Sequence, residues 1–158
     1  MNRTTISHLR SVPTAEPATP ARYGWAYLFA AWTIALVATF GALFIGEVMG
    51  QTPCHLCWYQ RVFMFPLAII LGVAAFREDG SVWRYALPVA VIGWLIAAFH
   101  SLLYGGVVPE TIKPCGQGPS CSSADMTILG LPLPYLSLVA FTAIAVLLIP
   151  ASRRKSNV

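Results

Sequence analysis

Four apolar runs constrain this chain more than anything else in it. Tyr23 to Gly46 is 24 residues without Lys, Arg, Asp or Glu. Leu56 to Phe76 is 21 residues whose single charge is Arg61. Tyr85 to Val108 and Met126 to Ser152 are uncharged runs of 24 and 27 residues. A spanning helix needs about 20 predominantly apolar residues. In lipid only a helix or a closed barrel satisfies the backbone. These runs are continuous rather than alternating, which selects helices over barrel strands. The sequence therefore predicts an all-α integral membrane protein, a four-transmembrane-helix bundle with spans at about 23–46, 56–76, 85–108 and 128–150. Pro132 and Pro134 mark where the last helix begins.

Charged residues make up 10% of the 158, against about 25% in an average soluble domain. That fraction is too small to cover a water-soluble globule, and it excludes a cytosolic enzyme, a disordered chain and a nucleic-acid reader. The net charge of +4 has a topological explanation. Arg3, Arg10 and Arg22 precede the first span, Arg77 and Arg84 lie between the second and third, and Arg153, Arg154 and Lys155 follow the fourth. All fall on one side of a four-span chain, and the other side holds only Lys113 and, just inside the second span, Arg61. The positive-inside rule then places both termini in the cytoplasm. Segments 1–22 and 151–158 read as cytoplasmic tails, and segments 47–55 and 109–127 face outward. The first span is too long for a cleaved signal peptide and no small-residue cleavage site follows it.

All four cysteines fall in the outward segments, where disulfides persist. Cys54 and Cys57 form a Cys-His-Leu-Cys motif, and Cys115 and Cys121 bracket Gly-Gln-Gly-Pro-Ser. A structural staple is a fair reading of Cys115–Cys121, whose short Gly/Pro loop would be stiffened by it. It suits Cys54–Cys57 less well, because closing so small a ring removes little chain entropy. Pairs of that spacing are more often redox-active. Thr52 is a possible cap and Pro53 suits a first helical position, which puts Cys54 and Cys57 in the first turn of the second span. The helix N-terminus favours a thiolate there. Arg61 lies four residues beyond Cys57 on the same face. As a plain anchor it would snorkel to the interface, yet ionisable residues inside spans default to function. His100, the ionisable residue of the third span, sits at a comparable depth. It is either satisfied by a backbone carbonyl or faces a ligand shared with Arg61. Zinc is a weak alternative, since the C-x5-C spacing of the second pair departs from common zinc patterns. No metal is expected.

Two dithiol pairs need an electron source and a sink. The loop pair is reachable by a soluble protein, and the helix-end pair lies beside the lipid. A relay from a soluble dithiol through Cys115 and Cys121 to Cys54 and Cys57 proceeds by thiolate attack on disulfides. The final acceptor must dissolve in lipid and take two electrons, which describes a quinone. Arg61 and His100 are candidates to meet its oxygens, and Trp58, Tyr59, Phe63 and Phe65 to line its ring.

The stretch Pro53-Cys-His-Leu-Cys-Trp-Tyr-Gln-Arg61, followed by Val-Phe-Met-Phe-Pro, resembles the signature of the disulfide bond formation protein B (DsbB) family, and its shorter BdbC-type members most. Phe99-His-Ser-Leu-Leu, the Cys115/Cys121 pair and Leu133-Pro-Tyr-Leu-Ser-Leu-Val-Ala-Phe141 also resemble that subgroup, so the similarity covers residues from about 23 to 150. The resemblance implies a bacterial inner-membrane thiol oxidase that reoxidises a DsbA-like, thioredoxin-fold oxidase and passes electrons to ubiquinone or menaquinone. It implies Cys57 as the thiol that meets quinone, Cys54 as its disulfide partner, and Arg61 and, by looser alignment, His100 as quinone contacts. Cys115 would form the mixed disulfide with the donor and Cys121 would resolve it. Two features depart from the better-known branch: only five residues separate Cys115 from Cys121, and Gln60 stands where an acid is common. A relative of vitamin K epoxide reductase and a non-catalytic membrane protein with stapled loops are the rival readings.

Overall fold

The computed structural model describes residues 20–108, 127–128 and 130–152. Helix α1 runs Pro20–Leu43 and continues as a π-helical turn over Phe44–Val48. Helix α2 is His55–Arg77, and a 3-10 turn at Gly80–Val82 leads into α3, Trp83–Tyr104. Two-residue strands β1 (Thr127–Ile128) and β2 (Leu131–Pro132) pair antiparallel just before α4, Leu133–Ser152. At 1.5 Å per residue, helices of 20 to 24 residues measure about 30–36 Å, the thickness of a bilayer core. All four are apolar enough to cross a membrane.

Each helix packs on two neighbours. α1 touches α2 and α4, and α3 touches α2 and α4. With a short turn between α2 and α3, this is an antiparallel ring in chain order. Lipid supplies no hydrophobic force between helices, so close contact depends on small residues and fitted side chains. Ala31 and Ala35 of α1 and Ala86, Ala90 and Ala97 of α3 are wholly buried. Gly72 leaves room for the Trp32 indole, whose Nε1 would lie 2.7 Å from a Cβ there. Gly93 does the same for the Phe141 ring. Large apolar residues instead face outward, Val37, Ile69, Phe76 and Val139 among them. That is the distribution a lipid-facing surface requires.

Polar groups tie the helices together at a few points. Trp25 Nε1 donates to the Ala75 carbonyl (3.0 Å), joining α1 to the end of α2. Trp94 Nε1 donates to Thr142 Oγ1 (2.9 Å), joining α3 to α4. Ser101 Oγ lies 2.8 Å from the Ala97 carbonyl and 3.2 Å from that of Pro134. α2 stops at Glu78, which takes a left-handed conformation (φ 52°), and Asp79 caps the following turn through Ser81 N (2.8 Å).

The helix ends sharpen the expected spans. The third apolar run reaches Val108, but α3 stops at Tyr104 because Gly105 caps it and Gly106 turns the chain at φ 72°, where glycine is at ease. The first run ends at Gly46 inside the π-helical turn rather than in regular α-helix. α4 begins at Leu133, between the two prolines, so residues before it belong to the β-pairing. Cys115 and Cys121 lie outside the described residues, as do most of segment 109–127 and nearly all of both tails.

Candidate functional site

The site gathers at the end of the bundle where α2 begins. Cys54 itself is the N-cap of α2, with extended backbone (φ −67°, ψ 166°), and its sulfur accepts the Cys57 N–H at 3.5 Å. Thr52 and Pro53 therefore precede the helix rather than capping and opening it. The reason is local: a sulfur one residue before the first turn reaches the orphan N–H that an oxygen cap would otherwise take. The Cys54 carbonyl accepts from Trp58 N (3.0 Å), closing the first turn.

This geometry brings the two sulfurs to 3.3 Å of one another. Both cysteines are free thiols, since a disulfide would hold its sulfurs at about 2.05 Å. At that separation one sulfur can hydrogen-bond to the other. The Cys57 thiol facing it holds the Cys54 thiol well below its usual range, to about 4; burial opposes this, and His100 adds to it. Cys54 is wholly buried, whereas Cys57 is only partly so.

The sulfurs face different surroundings. Cys57 lines a cavity of about 1020 Å³ enclosed by α1, α2, α4 and the segment Gly50–Pro53. Its walls are mostly apolar, with Ile34 and Ala38 from α1, Phe65 from α2, and Leu136 and Ala140 from α4. Gln60 and Arg61 are among its few polar walls. Arg61 Nη2 donates to the Ala42 carbonyl (2.7 Å), and the guanidinium carbon lies 5.8 Å from the Trp58 ring centre. The Arg61 head packs on Gly46, where a Cβ would stand 3.1 Å from Nη1. The guanidinium is thus bent across to the end of α1.

Cys54 looks the other way. His100 is wholly buried, and its Nε2 lies 3.9 Å from Cys54 Sγ. Its Nδ1 lies 3.2 Å from the Gln60 amide nitrogen. The expectation that His100 faces a ligand together with Arg61 needs correcting in its direction. Its ring is on the α3 side of α2, whereas the cavity lies between α1, α2 and α4, and His100 is not among its walls. Of the four aromatic candidates, Phe65 lines the cavity; Trp58 and Tyr59 are more than half exposed, and Phe63 packs against the core. Cys54 Sγ, Cys57 Sγ and the near nitrogen of His100 all lie within 4.8 Å of one another, a cluster in which the two sulfurs are close enough to react.

Two participants were not singled out from sequence. Gln60 was noted only as a departure from an acidic pattern, although a buried amide one turn beyond Cys57 is a signal in itself. The Ala42 carbonyl, which holds Arg61, has no side-chain signature at all.

Comparison with known proteins agrees with the geometry. The family "Disulfide bond formation protein DsbB" matches residues 23–151. A "Probable disulfide formation protein" of Metapseudomonas resinovorans is 56% identical over 137 residues, covering 85% of this chain and 95% of its own. "Disulfide bond formation protein C" of Bacillus subtilis (strain 168) is 40% identical over 132 residues, covering 83% and 96%. A "Probable disulfide formation protein" of Deinococcus radiodurans is 43% identical over 131 residues, covering 77% and 85%. No solved structure matches the chain significantly.

Proposed function

The chain belongs to the disulfide bond formation protein DsbB family, multi-pass membrane proteins of disulfide formation, and from that premise we propose that it is a protein dithiol:quinone oxidoreductase. It reoxidises a DsbA-like, thioredoxin-fold thiol oxidase outside the plasma membrane of a bacterium. The observation that carries this reading is the division of the helix-end pair: Cys57 opens on a large apolar cavity beside Arg61, and Cys54, 3.3 Å away, does not.

The cavity suits a quinone. Ligand pockets commonly measure about 300–1000 Å³, with apolar walls and a few placed polar groups, and this one has that character. Cys57 and Arg61 would hold the head group, with the guanidinium as a hydrogen-bond donor. A bound quinone supplies a lipid-soluble acceptor for two electrons and two protons. The protein's part is to keep the two sulfurs adjacent, to hold Cys54 as the anion and to shield the pair from water. In forming their disulfide, Cys54 and Cys57 give up two electrons and, counted from the dithiol, two protons.

Electrons reach this pair by exchange. A reduced donor attacks the Cys115–Cys121 disulfide, forming a mixed disulfide with Cys115 and releasing Cys121 as thiolate, and the donor's second thiol then displaces Cys115, leaving the donor oxidised. The resulting loop dithiol then reduces Cys54–Cys57 by the same chemistry. The basic residues at 3, 10, 22, 77, 84 and 153–155 support cytoplasmic termini, cytoplasmic segments 1–22 and 151–158, and outward segments 47–55 and 109–127.

The test is turnover of purified protein with a reduced thioredoxin-fold donor and a ubiquinone or menaquinone analogue. Quinone-dependent donor oxidation is expected, and it should vanish in Cys54→Ser and in Cys57→Ser. Normal turnover in either variant would refute the assignment.

A further inference from the structure

The contacts of Cys54 form a line that the quinone reading does not use. The Gln60 amide nitrogen lies 3.2 Å from His100 Nδ1, and His100 Nε2 lies 3.9 Å from Cys54 Sγ. All three residues are buried. A neutral imidazole has one donor nitrogen and one acceptor nitrogen. An amide N–H directed at Nδ1 makes that nitrogen the acceptor, so the ring proton sits on Nε2, which faces the sulfur. A hydrogen bond to an ionised acceptor is roughly twice as strong as a neutral one.

We infer that Gln60 is a positioning residue: its amide fixes His100 in the Nε2–H tautomer, and the imidazole then donates to the Cys54 sulfur and favours the reduced, singly ionised state of the Cys54–Cys57 pair. The inference rests on the reading of this pair as a redox couple. Reduction of the disulfide by a dithiol transfers two electrons, breaks one S–S bond and forms another. It leaves Cys57 as thiol and Cys54 as thiolate, with the donor's second proton released to solvent. His100 keeps its proton throughout. A carboxylate at position 60 would offer only acceptors, drawing the proton to Nδ1, so an amide and an acid there are not equivalent.

The test uses full-length reduced protein in detergent, with Cys115 and Cys121 replaced by Ser so that one pair is observed. It needs neither quinone nor turnover, so its failure is separate from failure of the proposed activity. Nitrogen NMR of labelled histidines, with His8 and His55 assigned by substitution, reads the tautomer. The expected spectrum has His100 protonated at Nε2 and bare at Nδ1. Gln60→Glu should protonate Nδ1, and Gln60→Met should mix the tautomers. In Gln60→Met the thiolate absorbance should fall, and equilibration with dithiothreitol should shift toward the disulfide by about tenfold or more, as expected for loss of a hydrogen bond to a charged group. Protonated Nδ1 with bare Nε2 in the parent overturns the inference. So does one tautomer common to all variants, or an unchanged dithiothreitol equilibrium in Gln60→Met. If Gln60→Met does not fold, the near-isosteric Gln60→Glu decides by its tautomer alone.

Discussion

The two ends of the bundle are built on different principles. At the end where Trp25 meets Ala75, the interior is apolar and closely packed. Leu28, Leu71, Ala74, Ala75, Val82 and Leu148 form one core with Phe141 and Ile144 nearer the middle. At the end where α2 begins, the buried apolar cluster shrinks to Cys54, Leu56 and Leu103, and His100, Gln60 and Ser101 are buried among them. Beside them lie the large cavity and Arg61. One end is a closely packed apolar core, and the other combines buried polar side chains with a cavity. Substitutions should therefore separate stability from turnover according to position along the bundle axis.

The largest effect that would break this division is at Leu71, which is wholly buried in the core and is not a wall of the cavity. Leu71→Ala should cost about 2–5 kcal/mol of stability, read by thermal or denaturant unfolding, with turnover per folded molecule retained. Loss of turnover in the molecules that stay folded would show that the two ends are not independent. Arg61→Ala should do the reverse. Removing a donor to a bound carbonyl should weaken apparent quinone affinity by roughly tenfold, on the scale of a charged hydrogen bond, with donor-protein KM and melting temperature little changed. An unchanged quinone affinity would remove Arg61 from the site.

A third comparison concerns pH. The Cys54 thiol is depressed from 9.0 to about 4, mainly by the facing Cys57 thiol. A depressed value stabilises the folded reduced protein fully above the unfolded thiol's value, and the gain is lost as pH falls toward the folded value. The melting temperature of the reduced form, relative to the oxidised form, should thus decline from alkaline pH toward about 4. A difference independent of pH would mean that no thiolate is held. The smallest effect is expected at Gly46, where an added Cβ would stand 3.1 Å from Arg61 Nη1. Gly46→Ala should raise the quinone KM a few-fold by pushing the guanidinium aside, without altering the thiol exchange.

The sequence is most informative where a single physical requirement dominates. Twenty apolar residues have one use in a membrane, so all four helices were legible from run length alone. Legibility fails where direction matters. His100 stands in the third apolar run, but α3 is apolar on every side, and no polar stripe indicates which neighbour a given residue faces. Only packing turns it toward α2 and away from the cavity. The ends were blurred for related reasons. Val107 and Val108 are as apolar as the span before them, and Gly105 and Gly106 stop the helix regardless. Cys54 was not recognised as a cap because helix caps are usually oxygen-bearing side chains.

The closed ring has one joint unlike the others. α1 and α4 touch, yet they are the first and last helices, and no segment of chain runs directly from one to the other. The cavity is walled from both sides of this joint, by Ile34 and Ala38 of α1 and by Leu136 and Ala140 of α4, so no connecting loop fixes the spacing of those two walls.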